Sequence, residues 1–191
     1  RKTIYDLRNQ ALDGIDLRGR IADMFDEVVD GTIESHTDPR EEPQTWGWDG
    51  LKESLLRVFM IDLQISSTDI ERLKVDDLRD KLLELVKLNY RSRDEMVGPE
   101  GMRHIERLVM LQVLDSRWRD HLYELDALKE GIGLRSYAQK DPLVEYKQEA
   151  YRMFEELVGS VNEEVVSYLF RLRYQPPDCL LYTSPSPRDR T

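Results

Sequence analysis

Between Gly101 and Leu172 the chain carries two long apolar stripes at helical spacing, separated by one short polar stretch. The first stripe is Ile105, Leu108, Leu111, Leu114, Trp118, Leu122, Leu125 and Leu128. Apolar residues recurring every three or four positions mark one face of an α-helix, and about 29 residues of helix extend about 44 Å. The second stripe is Phe154, Leu157, Val161, Val165, Tyr168 and Leu172. Between them lies Gly131-Ile-Gly-Leu-Arg-Ser-Tyr-Ala-Gln-Lys-Asp-Pro142, in which Asp141 suits an N-cap and Pro142 a first helical turn. Two long helices joined by so short a loop must lie antiparallel. Their stripes then pack at the shallow angle of coiled-coil-like pairs. Such a hairpin reaches away from a body, with Tyr137 at its tip.

The preceding sequence predicts shorter helices. Ile4, Leu7, Ala11 and Leu12 share one face before Asp13-Gly14 interrupts it. Leu17, Ile21, Met24, Phe25, Val28 and Ile33 form a second amphipathic set. From His36 to Gln44 the prolines and charges read as a surface loop. Trp46 and Trp48, on either side of Gly47, are expected to pin that loop onto the helices, a peptide-binding platform being the alternative. Leu51, Leu55 and Phe59 predict a short helix, and the alternation of Ile61, Leu63 and Ile65 with Asp62 and Gln64 predicts an extended connector. A further helix is expected from about Asp76 to Glu95, with Leu78, Leu82, Leu85 and Leu88 inward and Asp76, Asp77 and Asp80 at its positive end. Gly98-Pro99 closes it. The fold class is therefore all-α: a helical lobe over residues 15–97, then the hairpin.

Composition narrows what such a chain does. A net charge of -10 argues against nucleic acid, since phosphate binding needs concentrated Lys and Arg. The single cysteine, Cys179, permits no intrachain disulfide and suits a reducing compartment. No apolar run approaches the roughly 20 residues that span a bilayer. The opening Arg1-Lys2-Thr3-Ile4 starts in mid-pattern without Met, as expected of a piece of a longer protein. Residues 178–191, with Pro185 and Pro187, have no helical period. They can be spelled by a common transposon sequencing adapter, so the native sequence is expected to stop near Pro177.

Motifs for bond-making chemistry were sought and set aside. Gly131-x-Gly133-x-x-Ser136 approaches a dinucleotide fingerprint, but that motif follows a strand and opens a helix. Here it follows a helix, and a glycine stop is the plainer expectation. No phosphate-loop sequence occurs. His121 and Glu124 lie one turn apart, and His104 is distant, too few ligands for a structural metal site. His121 is expected at a helix edge. Trp118 lies on the apolar stripe and is expected to pack inward, while Asp115, Arg117, Arg119 and Asp120 around it offer surface pairs or a docking face. Tyr137 is different: Arg135, Ser136, Gln139 and Lys140 leave it little to pack against, so a functional contact is expected.

Two strings carry a specific likeness: Val109-Met-Leu-Gln-Val-Leu-Asp-Ser-Arg-Trp-Arg-Asp-His-Leu122, and Gly131 to Pro142 with Glu145-Tyr-Lys147. They closely resemble the C-terminal part of the SecA family, ATPases that push preproteins through the bacterial Sec channel. Arg1-Lys-Thr-Ile-Tyr-Asp-Leu-Arg-Asn9 is similar to the end of that family's long scaffold helix. The resemblance implies that residues 1–14 end the scaffold helix, 15–97 form a helical wing, 98–147 a two-helix finger that regulates the ATPase, and 148–177 the remaining scaffold. It implies a fingertip of Leu134, Arg135, Ser136, Tyr137, Ala138 and Gln139, with Tyr137 against the moving polypeptide. It also implies a docking face at Trp118, Asp115 and Arg119, where Arg117 departs from the family's usual apolar residue. The implied partners are unfolded preprotein, the Sec channel and the motor domains of the same protein. ATP and Mg would belong to those domains, with no cofactor in this segment, and the implied location is the cytoplasm, at the inner face of the plasma membrane. A stand-alone helical interaction module is the alternative.

Overall fold

The computed structural model describes residues 2–13, 17–71, 73–135 and 141–172. Among these there are seven α-helices and no strand: α1 (Lys2–Asp13), α2 (Leu17–Glu34), α3 (Trp48–Phe59), α4 (Ser67–Ile70), α5 (Val75–Val97), α6 (Pro99–Arg135) and α7 (Pro142–Arg171). The all-α reading is correct. The tail after Leu172, including the adapter-like residues, lies outside the described residues.

The helix boundaries follow local chemistry. Met60, in left-handed conformation at φ 55°, ends α3 by turning its backbone N–H onto the carbonyls of Leu55 and Leu56. The connector then alternates as expected, with Ile61 and Leu63 buried and Asp62 and Gln64 exposed. Ser66 caps α4 by accepting from the Asp69 amide. Between α5 and α6 a single glycine makes the corner. Gly98, at φ 85° and ψ 151°, occupies a region that side chains avoid, and Pro99 starts the next helix. The two tryptophans hold the preceding loop. The Trp46 indole donates to the Asp38 carbonyl at 3.0 Å, and that of Trp48 to the Pro43 carbonyl at 2.7 Å.

One core runs through all the long helices. Helix α7 packs along α6 and also against α2 and α3, while α6 packs in turn against α1 and α5. Their meeting point is aromatic. Phe170 of α7, fully buried, lies 5.6 Å from Phe25 of α2, 5.5 Å from Phe59 of α3 and 5.9 Å from Tyr90 of α5, ring centre to ring centre. The Arg93 guanidinium covers the same ring at 5.5 Å. Edge-on and tilted rings at these spacings gain from their quadrupoles as well as from burial.

Polar straps tie α2 to its neighbours. Arg79 of α5 forks onto Asp30 at 2.5 and 3.0 Å. Arg20 bonds Glu27 at 3.0 Å, and buried Asn162 of α7 donates to the same carboxylate. Arg57 of α3 pairs with Glu163 of α7 at 3.0 Å. Exposed pairs of this kind fix register more than they add stability.

Several inward assignments need correction. Leu12, Leu88, Leu108, Tyr168 and Leu172 are exposed. On α6 the buried set is Met102, Glu106, Met110, Val113, Leu114, His121 and Ile132. On α7 it includes Asn162, Val166, Leu169 and Phe170 beside the expected Leu157, Val161 and Val165. Both helices are packed on more than one side, so a single stripe under-describes them. Nor does α6 stop at Gly131. It continues to Arg135, because Ile132 is buried and holds the last turn in place.

Two measurements check this architecture. Phe170→Ala is expected to cost about 3–5 kcal/mol in chemical denaturation, whereas Leu172→Ala, two residues on and exposed, stays within about 0.5 kcal/mol. Gly98→Ala is expected to cost about 1–3 kcal/mol through backbone strain alone, since an added Cβ would meet nothing within 4 Å.

Candidate functional site: the α6–α7 hairpin

Helices α6 and α7, of 37 and 30 residues, extend about 55 and 45 Å. The return is made where the sequence places it: Asp141 Oδ1 accepts from the Leu143 amide at 2.9 Å, with Pro142 in the first turn. The two helices run antiparallel and side by side. Near the tip, Leu128 and Ile132 line a cavity of about 230 Å³ together with Glu145 and Glu149. Further back, the His121 ring lies 6.3 Å from Phe154. Beyond it, Arg117 Nε donates to Glu164 Oε2 at 2.5 Å, a bond that holds the guanidinium charged. Arg117, the departure from the family pattern, is thus a cross-hairpin strap rather than an apolar contact.

The expected site residues fall in different places. Ser136, Tyr137, Ala138 and Gln139 lie outside the described residues. Leu134 and Arg135 are the last two residues of α6, and their side chains are likewise outside the description. Trp118 is half-buried against the core, its ring 5.6 Å from that of His121. Asp115 accepts from Arg8 Nε at 3.0 Å and so binds α6 to α1. Arg119 is exposed. Trp118 therefore turns toward the body and Arg119 toward solvent, while Asp115 is engaged by the first helix.

Two polar residues on α6 escaped the reading of the sequence. His121 is not at a helix edge but 3% exposed, between the rings of Trp118 and Phe154. Burial lowers its pKa, with Glu124 opposing, and its Nδ1 has no hydrogen-bond partner. A neutral imidazole is the form that tolerates this site. Glu106, 1% exposed, accepts from the Tyr90 hydroxyl. Glu106 stands four residues from both Met102 and Met110, and His121 three after Trp118 and four before Leu125, so both keep the helical three-and-four spacing. Spacing counted without regard to polarity would have found them.

Among the described residues no group of three or more His, Cys, Asp and Glu is placed to hold a metal ion. No described helix is long and apolar enough to cross a membrane.

Comparison with known proteins agrees with this architecture along the chain. The family model described as the SecA wing and scaffold domain matches residues 1–173. The protein translocase subunit SecA of Leifsonia xyli subsp. xyli is 40% identical over 180 residues, 92% of this chain and 19% of that protein. That of Trichlorobacter lovleyi is 41% identical over 170 residues, 89% of this chain and 19% of that protein. That of Acidobacterium capsulatum is 36% identical over 179 residues, 93% of this chain and 18% of that protein. The chain spans about a fifth of the length of these curated relatives. A match that runs unbroken from α1 through both hairpin helices covers every long helix described, and the chain belongs to the SecA wing and scaffold domain family.

Proposed function

We propose that this chain is the wing, scaffold and finger segment of an ATP-driven preprotein translocase, and that the α6–α7 hairpin is its polypeptide-contacting lever. The observation that carries the reading is the pairing of two helices of about 55 and 45 Å, rooted in the aromatic core around Phe170 and free of it toward the tip. Residues 1–14 serve as the end of the scaffold helix, 15–97 as the wing, 98–147 as the finger and 148–177 as the remaining scaffold. The root receives a displacement from the nucleotide-binding domains of the same protein, where ATP and Mg act, and the segment itself needs no cofactor. The tip works at the mouth of the Sec channel, which keeps the protein at the cytoplasmic face of the membrane without a span of its own.

The tip chemistry suits a substrate of no fixed sequence. A finger that handles many unfolded chains gains nothing from side-chain-specific hydrogen bonds. The Tyr137 ring gives sequence-tolerant contact, and its hydroxyl reaches any backbone carbonyl or amide. Leu134, Arg135, Ser136, Ala138 and Gln139 complete the surface around it. Trp118, Asp115 and Arg119 lie further down the lever, where docking to the rest of the protein would set its position.

In the complete translocase, Tyr137→Ala is expected to lower preprotein translocation about tenfold, the effect of losing about 1.4 kcal/mol of contact, and to leave basal ATP hydrolysis within about twofold. Both rates are measured on membrane vesicles bearing the channel. An equal fall in the two would make Tyr137 a structural residue and end this reading.

A further inference from the structure

Where the hairpin leaves the body, an acidic side chain is buried with half of its hydrogen-bonding capacity unused. Glu106 of α6 is 1% exposed. Its Oε1 accepts from the Tyr90 hydroxyl of α5, and its Oε2 is buried without a partner. The nearest cation is Arg18 of α2, whose Nε stands 3.7 Å from Oε1. Arg18 is already committed: its Nη2 donates to Asp94 Oδ1 of α5 at 2.6 Å. Arg103 on α6 is the other charged group that acts on the carboxyl. Three helices thus meet through one guanidinium shared unequally between two acids.

A carboxylate with one oxygen dry and unbonded is costly, whereas the neutral acid loses much less there. The observed arrangement, with Arg18 hydrogen-bonded to Asp94 at 2.6 Å and only within ion-pair reach of Glu106 at 3.7 Å, favours Asp94, the partnering expected when Glu106 carries a proton. Removing that proton sets a second negative charge 3.7 Å from Arg18, on a carboxyl that is itself buried while Arg18 is exposed. The guanidinium is then drawn off Asp94 toward Glu106, and α2 and α5 shift with respect to α6.

We propose that Glu106 is a positioning residue that, through Arg18, sets by its protonation how the root of the hairpin sits against α2 and α5. The purpose rests on reading the hairpin as a lever: a partner switch at its root swings the tip. Burial raises the Glu106 pKa above the ordinary glutamate range, while the Tyr90 hydrogen bond and Arg18 oppose the rise and Asp94 adds to it. The sign follows by linkage. A raised acid binds its proton more tightly in the folded chain than in the unfolded one. Its stabilisation is therefore full below the ordinary glutamate pKa and is lost as pH rises through the folded value.

The test uses the whole chain, with Cys179→Ser removing its single thiol. Spin labels at Leu88→Cys on α5 and Tyr123→Cys on α6, both exposed positions, report the distance between hairpin and body. As pH rises above the ordinary glutamate range that distance is expected to shift by about 1–2 Å or more along a single titration. Glu106→Gln, which keeps the shape of the neutral acid, is expected to hold the low-pH distance throughout. Its thermal midpoint, relative to the parent chain, is expected to rise as pH rises. Tyr90→Phe removes the hydrogen bond that favours the ionised form, so it is expected to move the titration to higher pH. It serves alone should Glu106→Gln fail to fold. A distance that does not change with pH in the parent chain, or a titration unmoved by Tyr90→Phe, overturns the proposal. Neither result bears on Tyr137, whose role is read from translocation.

Discussion

The packing of Phe170 against three aromatic rings is the contact on which the rest of the structure depends. Each ring comes from a different helix: Phe25 from α2, Phe59 from α3 and Tyr90 from α5. Phe170 itself lies in the last turn of α7, so the same helix that returns from the tip of the hairpin also closes the core of the shorter helices. A lever needs one end that does not move, and apolar rings interlocked at van der Waals contact provide it because a packed interior resists small displacement. Toward the tip the hairpin has only its own two helices to hold it. There the contacts thin to Ile132, Leu128 and the stems of Glu145 and Glu149.

Along this gradient the polar interior groups take on distinct meanings. Asn162 is fully partnered and acts as a strap between α7 and α2. His121, whose burial favours the neutral form, lies tilted or edge-on to two aromatic rings, a polar residue that behaves as a core aromatic. Glu106 alone combines burial, an ionisable proton and a competing acid within reach of one cation. The first two fix a geometry, whereas the third offers a choice between two.

Much of this was legible in the residues. Every long helix announced itself by spacing, and the corners were marked by chemistry with no alternative reading, as in Asp141-Pro142 and Gly98-Pro99. The loop-pinning role of Trp46 and Trp48 followed from the surface they must bury. The inner face of α6 was harder, because Glu106 and His121 sit on it and an apolar count steps around them to Leu108, which faces solvent. Tyr168 and Leu172 misled for the complementary reason: they extend the hairpin stripe, but α7 has by then rotated its burial toward α2 and α3. At the candidate docking face the inward turn of Trp118 could be read from its stripe. The engagement of Asp115 by Arg8 could not, since nothing local connects residues so distant in the chain.

That last pair has a consequence for how the protein is made. The partners Arg8 and Asp115 are separated by 107 positions. A ribosome adding about 5–20 residues per second takes on the order of 5–20 s to supply α6 after α1 has been synthesised. Until then Ile4 and Ala11, both buried in the finished fold, lack the α6 surface against which α1 packs here. The hairpin, by contrast, closes between neighbours joined by a few residues and can zip as soon as it is extruded. Within this segment, assembly therefore proceeds against the order of synthesis, with α1 docking onto α6 only after the helices between them are made.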